Sequence, residues 1–170
     1  MAISKKILNY LNGKKYKFEI IRHKTTYTAF DTARTTQKHE KKVKQEEIAK
    51  TLVMKIDKEY VLAIIPANKR LDKKKFLKAV NMDRKKRKEE NIKSVDFAKE
   101  GWMKKNIPGK VGATAPFREY LGLDIYADAV LAKQKYLFAG SGEYEYSIKI
   151  PSKIYFKIEE PKKGSFTAKK

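Results

Sequence analysis

The chain has 170 residues, with 41 Lys or Arg against 20 Asp or Glu, so its formal net charge is +21. The absence of cysteine excludes disulfides, a cysteine nucleophile and zinc held by thiolates. Because no apolar run is long enough to span a membrane and the N-terminus lacks the apolar core of a signal peptide, we expect a cytoplasmic protein.

The positive charge favours a polyanionic partner, either a nucleic acid or an anionic membrane surface. A lysine-rich surface also occurs in salt-adapted and heat-adapted proteins, so the charge alone does not identify the partner. The hydrophobic content of 41% argues against disorder. The length is most simply one domain covering residues 1–170.

The N-terminal part predicts a helix followed by a strand. Ser4 is a candidate N-cap, apolar residues recur at helical spacing within residues 3–11, and Gly13 ends the helix. Residues 16–21 alternate between apolar and polar types, which is typical of a strand. Thr28 is a candidate N-cap of a further short helix.

Two apolar runs in the middle of the chain predict a β-hairpin. Residues 51–56 and 60–65 are joined by a polar turn, and Pro66 closes the second run. Lys50 stands at the mouth of the first strand, where its ammonium can anchor a phosphate or a carboxylate. A solvated lysine is the simpler interpretation of this residue taken alone, since lysines are mostly exposed.

Residues 69–105 form a basic segment with 15 Lys or Arg and six Asp or Glu. Asp72 is a candidate N-cap of a helix that buries Phe76, Leu77 and Val80. Ser94 is predicted to cap another helix, which carries Val95, Phe97, Ala98 and Trp102. The charge run at residues 83–90 is typical of solvated surface.

The C-terminal part contains two glycine-bearing loops, residues 109–116 and 140–142. Glycines beside small residues let backbone N–H groups turn toward a ligand, although an ordinary connecting loop has the same composition. The sequence predicts strands at 135–139, 144–150 and 154–158. Residues 159–170 are predicted to be a polar tail, and residues 123–131 support no assignment.

No established catalytic or metal-binding motif is present. The two histidines, His23 and His39, lack metal-ligand spacing, and the chain has neither a G-x-S-x-G motif nor a P-loop. No metal or cofactor is therefore expected. His23 follows a strand and is a candidate pocket residue, although a lone histidine is more often simply packed.

The order of these features resembles a known family. Lys50-Thr51-Leu52-Val53, the hairpin ending near Pro66, Gly112-x-x-x-Pro116-Phe117 and Ala139-Gly140-Ser141-Gly142 resemble the YbaK/ProX family of aminoacyl-tRNA editing domains, over residues 3–158. The resemblance implies a mixed α/β domain with a barrel-like sheet and flanking helices. It also implies hydrolysis of the ester that joins an amino acid to the terminal adenosine of a mischarged tRNA, with prolyl-tRNA as the carrier.

The resemblance assigns activity to Lys50 and places the tRNA end and the amino acid against the loop Gly112–Pro116. An aminoacyl ester is labile, so a few well-placed donors suffice and no catalytic triad is required. The small residues of the loop suggest alanine, serine or cysteine as the misattached amino acid. Arg118 departs from the family, which often has glycine there. The predicted substrate-binding residues are His23, Thr28, Gly112, Ala113, Thr114, Ala115, Pro116, Phe117, Gly140, Ser141 and Gly142.

The expected partners are a mischarged tRNA, bound at its acceptor end, and an aminoacyl-tRNA synthetase as a further candidate. We expect the basic segment to contact tRNA phosphates, which would make binding strongly salt-dependent. The alternative is a non-catalytic tRNA- or RNA-binding module of the same fold; a membrane binder is less favoured because no long amphipathic basic helix is seen. The predicted nucleic-acid-binding residues are Lys73, Lys74, Lys85, Lys86, Arg87 and Lys88.

Overall fold

The computed structural model of the chain describes residues 3–23 and 43–170, so the predicted helix cap Thr28 lies outside the described residues. The helices are α1 (Lys5–Gly13), α2 (Lys73–Lys86), α3 (Glu100–Asn106), α4 (Arg118–Leu121), α5 (Ala129–Ala132) and α6 (Ser152–Glu159), with a 3₁₀ turn at Gln45–Glu47. The strands are β1 (Glu19–Arg22), β2 (Ala49–Ile56), β3 (Glu59–Pro66), β4 (Lys69–Leu71), β5 (Val95–Phe97), β6 (Ile125–Asp128), β7 (Tyr136–Gly140), β8 (Tyr146–Pro151), β9 (Lys162–Gly164) and β10 (Thr167–Lys169).

The described strands form three sheets. The largest has five strands in the order β5-β2-β3-β6-β9, with β3-β6 and β6-β9 parallel and the other pairs antiparallel. A three-stranded antiparallel sheet has the order β1-β8-β7, and β4 pairs with β10. The predicted mixed α/β class is confirmed. No sheet of residues 3–23 and 43–170 closes into the expected barrel.

The predicted hairpin forms β2 and β3, which are paired from Ala49 opposite Pro66 to Ile56 opposite Glu59. Val53 contributes to one core cluster and Met54 to another. The five-stranded sheet is therefore buried on both faces, which explains why its central strands are almost continuously apolar.

Two of the three helix caps predicted in the described part of the chain, Ser4 and Asp72, are confirmed. The Ser4 hydroxyl accepts a hydrogen bond from the Lys6 N–H at 3.1 Å, and α1 buries Ile7 and Leu11 in the first core cluster. The Asp72 carboxylate accepts from the Lys75 N–H at 3.0 Å. These caps satisfy backbone donors that the first turn of a helix leaves without partners.

The helix predicted to begin at Ser94 is wrong. Residues Val95–Phe97 form β5, which pairs with Met54–Ile56 of β2, and α3 begins only at Glu100. The Ser94 N–H and hydroxyl both donate to the Asp57 carboxylate in the β2-β3 turn. Ser94 therefore stabilises the β2-β3 turn and does not begin a helix. The residues that follow it pair with the edge of β2 and form β5.

Two predictions near the C-terminus are also wrong. The strand expected at residues 154–158 is part of α6, whose Ser152, Tyr155 and Glu159 are buried at helical spacing. Short apolar runs have too few residues for periodicity to separate a strand from a helix. The expected polar tail contains β9 and β10, and Phe166 between them is completely buried.

None of the helices in the described part of the chain is both long and apolar enough to cross a lipid bilayer.

Phe166→Ala tests the packing of the C-terminal strands. Phe166 lies 5.1 Å, centroid to centroid, from the fully buried Phe76 ring. We expect the free energy of unfolding to fall by about 3–5 kcal/mol, because truncation leaves a cavity in the second core. Denaturant unfolding measures it. The exposed Lys169→Ala control should change stability by less than about 0.5 kcal/mol; equal effects of the two variants would show that this segment is not packed.

Candidate functional site

A small cleft of about 50 Å³ surrounds the start of β2. Residues 48–51 all line it, so it takes side chains or backbone from consecutive positions of the strand. Its opposite wall comes from the two glycine-bearing loops and from β7 and β8. The structure thus brings together five of the residues predicted from the sequence: Lys50, Gly112, Ala113, Thr114 and Gly140.

The two loops meet through direct backbone contact. The Gly142 N–H donates to the Ala113 carbonyl at 2.6 Å, and the Lys110 N–H donates to the Gly142 carbonyl at 2.8 Å. A Cβ atom at Gly140 would collide with the carbonyl of Thr114 and lie 2.8 Å from that of Ala113. Only glycine permits this approach, which sets the width of the cleft.

Two backbone N–H groups of the cleft lining find no acceptor in the part of the chain that the structure describes. The Ala113 N–H donates to the Lys110 carbonyl at 3.0 Å. Within the described residues, by contrast, the N–H groups of Gly112 and Thr114 make no hydrogen bond. Most backbone donors in folded proteins are paired, so these two are available to a ligand or to water.

Lys50 is half-buried and lines the cleft. Burial lowers the pKa of its ammonium, and the positive charge of Lys170 lowers it further. Lys50 pairs with Ile65 of β3. It lies on the same face of β2 as Met54 of the second core cluster, whereas Thr51 lies on the face of Val53 of the first core cluster. Lys50 and Thr51, which both line the cleft, therefore lie on opposite faces of the sheet.

Five other predicted residues support the loops without lining the cleft. Ala115 and Phe117 are buried in the first core cluster, and the Pro116 carbonyl accepts from the Tyr155 hydroxyl at 2.6 Å. The buried Ser141 hydroxyl donates to the Tyr146 carbonyl at 2.6 Å. Gly142 holds the two loops together through its backbone.

His23 lies behind the cleft wall. Its buried ring nitrogen Nε2 is 2.8 Å from the Ser147 hydroxyl, and Ser147 lines the cleft. The contact of His23 with the cleft is therefore indirect. Thr28, the remaining predicted substrate-binding residue, lies outside residues 3–23 and 43–170.

Sequence reasoning missed the polar residues that follow the second glycine loop. Glu143, Tyr144 and Ser147 line the cleft, and the Glu143 carboxylate pairs with the Lys110 ammonium at 3.0 Å. The hydrogen bond to Glu143 raises the pKa of Lys110. The Tyr144 hydroxyl donates to the Val111 carbonyl at 2.6 Å. Glu143 and Tyr144 directly follow Gly140-Ser141-Gly142, and this position is the signal that could have identified these two residues.

A buried carboxylate anchors the C-terminal end of the first loop. Glu159, which is 1% exposed, accepts from the Arg118 N–H at 2.6 Å, from the Tyr16 hydroxyl at 2.5 Å and from the Tyr10 hydroxyl at 3.0 Å. The Arg118 side chain donates in turn to the Glu159 carbonyl at 3.0 Å. Arg118, which departs from the resembled family pattern, is thus part of the structure that holds the loop.

The basic segment is partly neutralised by its own acids. The Lys73 ammonium lies 2.8 Å from Asp96, and the Arg87 guanidinium pairs with Asp83 at 2.8 Å and with Glu89 at 2.5 Å. The other four predicted nucleic-acid-binding residues are exposed lysines: Lys74, Lys85, Lys86 and Lys88.

The described residues contain no cluster of three or more acidic or histidine side chains that could hold a metal ion.

Comparisons with known proteins identify a family and solved structures of similar fold. A family model described as the aminoacyl-tRNA editing domain matches residues 23–158. A solved structure described as a candidate trans-editing enzyme for prolyl-tRNA synthetase superposes with a TM-score of 0.78 at 16% identity, over 98% of this chain and 99% of that one. A hypothetical protein, APE2540, superposes with a TM-score of 0.76 at 16% identity, over 96% and 100% of the two chains. A search of curated proteins found no match.

Gly140→Ala tests the contact between the two loops. We expect the free energy of unfolding to fall by roughly 1–3 kcal/mol, because the new methyl group forces the loop carbonyls apart. Chemical denaturation gives the value. The matched control is Gly101→Ala in α3, where a Cβ meets nothing within 4 Å; it should leave stability equal or higher, since alanine favours a helix. A Gly140 variant as stable as this control would contradict the contact.

Tyr16→Phe tests the Glu159 site through pH. Burial first, and then the Glu159 charge, raise the pKa of Tyr16 far above its ordinary value of 10.0. The unfolded chain therefore releases the Tyr16 proton first, and the stability due to this group is complete below pH 10 and falls above it. Urea unfolding between pH 7 and 11 should show the stability difference between wild type and variant shrinking by about 1.4 kcal/mol per unit above pH 10. A difference independent of pH would contradict the raised pKa.

Proposed function

Because the chain belongs to the family of aminoacyl-tRNA editing domains, we propose that it hydrolyses the aminoacyl ester of mischarged tRNA in trans. The observation that carries the proposal is the cleft itself, where Lys50 lies beside a loop whose Gly112 and Thr114 N–H groups find no acceptor among residues 3–23 and 43–170. A half-buried cation beside two available donors suits a substrate that carries an ester carbonyl and polar groups. The narrower kinship with the YbaK/ProX group remains a prediction.

The proposed reaction is the attack of water on the ester carbonyl. The Gly112 and Thr114 N–H groups stabilise the negative charge that develops on the carbonyl oxygen. The Lys50 ammonium holds the polar end of the substrate, and the neighbouring ribose hydroxyl assists the departure of the tRNA. Collapse of the tetrahedral intermediate releases the free amino acid and the tRNA 3′ hydroxyl. The ester is labile, so a modest acceleration suffices. Each tenfold increase in rate requires the activation free energy to fall by about 1.4 kcal/mol.

The size of the cleft supports a small amino acid as the one removed. A cleft of about 50 Å³ whose lining includes Ala49, Gly112 and Ala113 leaves little room for a large side chain. We therefore propose alanine, serine or cysteine. We propose prolyl-tRNA as the carrier, which is supported by the description of one structural neighbour at 16% identity.

The remaining predicted residues have secondary roles in this proposal. Ala113 and Gly140 shape the amino-acid pocket. His23 acts through Ser147, and Thr28 remains a predicted substrate contact. Supporting residues behind the cleft keep the loops in place: Ala115, Pro116, Phe117, Ser141 and Gly142. Charged tRNA as substrate makes the cytoplasm the proposed place of action, with a synthetase as a further candidate partner.

We propose that the basic segment contacts the tRNA backbone mainly through its exposed lysines, Lys74, Lys85, Lys86 and Lys88. Lys73 and Arg87, whose charges are already paired, contribute less. The second candidate function, a non-catalytic RNA-binding module, is supported by the same charge. The cleft with its available donors favours the enzyme.

Lys50→Ala tests the reaction. A panel of prolyl-tRNAs carrying alanine, serine or cysteine should show that the wild type deacylates at least one member. We expect the variant to lose about 100-fold in kcat/KM, because an electrostatic contact to the substrate is removed. Lys55→Ala, an exposed lysine on the same strand, is the matched control and should retain activity.

Each negative outcome has a separate meaning. If Lys50→Ala deacylates at the wild-type rate, Lys50 does not have the proposed role. If the wild type binds the tRNAs and hydrolyses none of them, the non-catalytic module is the better description.

A further inference from the structure

A second concave surface lies away from the cleft, between α2 and the chain around β9. We call it the lysine groove; its volume is about 640 Å³, and it shares no lining residue with the cleft. Two strands, β3 and β6, separate β9 from β2, where the cleft begins. At the usual strand spacing of about 4.8 Å the two sites are at least about 14 Å apart.

The lysine groove is lined by cations from two separate parts of the chain. Lys75, Lys78 and Lys86 come from α2, and Lys162 and Lys163 come from β9. Eleven residues of α-helix span about 16 Å, so the α2 lysines form a row along one side of the groove. The lysines of β9 face them from the other side.

Three lysines that line the groove, unlike the arginines of this region, are available to a ligand. Arg84 pairs with Glu59 at 3.2 Å and Glu89 at 3.4 Å, and Arg87 pairs with Asp83 and Glu89. Within the described residues, the ammonium groups of Lys78, Lys86 and Lys163 make no ion pair. No acidic side chain therefore compensates the positive charges of these three lysines within the described residues.

The single acidic residue among those lining the groove is already engaged. The Asp83 carboxylate accepts from Tyr126 at 3.0 Å and pairs with Arg87 at 2.8 Å and Lys162 at 3.1 Å. Burial, the largest single influence, acts to raise the pKa of Asp83, but Lys162, Tyr126 and Arg87 together lower it. This carboxylate is neutralised from within the protein and does not repel an anionic ligand.

Small residues form part of the groove lining. A Cβ at Gly164 would lie 3.4 Å from the Ala79 Cβ, and the exposed Met82 side chain borders the α2 side. A groove of about 640 Å³ with cations on both sides has room for several phosphates, whereas a single small anion would fill only part of it.

We propose that the lysine groove binds the phosphate backbone of an RNA stem. The inference rests on the proposed function, which supplies a tRNA as the ligand, and it assigns the stem to the groove and the aminoacyl end to the cleft. A nucleic-acid duplex carries a negative charge about every 1.7 Å of its axis, so a row of about 16 Å faces several phosphates.

The test uses the full chain and a non-acylated RNA hairpin, so that it does not depend on hydrolysis. The groove variant is Lys75→Gln, Lys78→Gln and Lys163→Gln together. The control variant changes the net charge equally, through Lys133→Gln, Lys153→Gln and Lys157→Gln at exposed positions beside α5 and on α6. Thermal unfolding of both variants checks that they are folded.

The dissociation constant is measured at several salt concentrations. We expect the groove variant to reduce the slope of log affinity against log salt by about 2–3, since each phosphate contact contributes about 0.9. The control variant should reduce it by less than about 1. Equal reductions would overturn the proposal, because net charge alone would then explain the binding.

A parallel arm uses vesicles of anionic phospholipid. If the groove variant loses vesicle binding while RNA binding is unchanged, the groove is a membrane surface and the proposal is wrong. If RNA binding follows the prediction but no mischarged tRNA is hydrolysed by the wild type, the groove proposal stands and the proposed hydrolysis fails.

Discussion

The backbone contact between the two glycine-bearing loops is the constraint on which the candidate site depends. Gly140 has no side chain, so the carbonyls of Ala113 and Thr114 can lie against it. The Gly142 N–H donates a hydrogen bond to the same Ala113 carbonyl. The same arrangement leaves the N–H groups of Gly112 and Thr114 without acceptors among the described residues. The width of the cleft and the two available N–H donors therefore have one structural cause. The donors can bind a ligand without a nucleophilic side chain.

Charge is distributed so that structure and binding use different residues. Arginines and acids pair within the basic segment, where Arg84 and Arg87 join α2 to the residues that follow it. Exposed lysines such as Lys78 and Lys163 are left for solvent or a ligand. Arginine forms several hydrogen bonds from one planar group, whereas lysine is a flexible point charge, which suits these two uses. The net charge of +21 is thus mostly a surface property with little influence on the fold.

Sequence patterns predicted the elements in which apolar residues recur at a regular spacing over many residues. The β2-β3 hairpin, α1 and α2 each have a clear apolar period or a cap, and the structure has all of them. The patterns failed for β5, α6 and β9, which are three to eight residues long and are fixed by contacts distant in sequence. In the site, glycine spacing identified both loops. It did not identify Ser147, because the position of this residue in the cleft follows from the pairing of β8 with β7.

The outer strands of the large sheet have a consequence for behaviour at high concentration. β5 and β9 are each three residues long, and β9 begins with two lysines. Exposed strand edges promote pairing between molecules, and short, positively charged edges oppose it. The sheet therefore ends on both sides in strands that offer few free backbone groups, and the lysines of β9 repel a second copy at that edge. We expect this geometry to keep the protein from joining edge to edge into fibrils, even though its central strands are apolar and rich in β-branched residues.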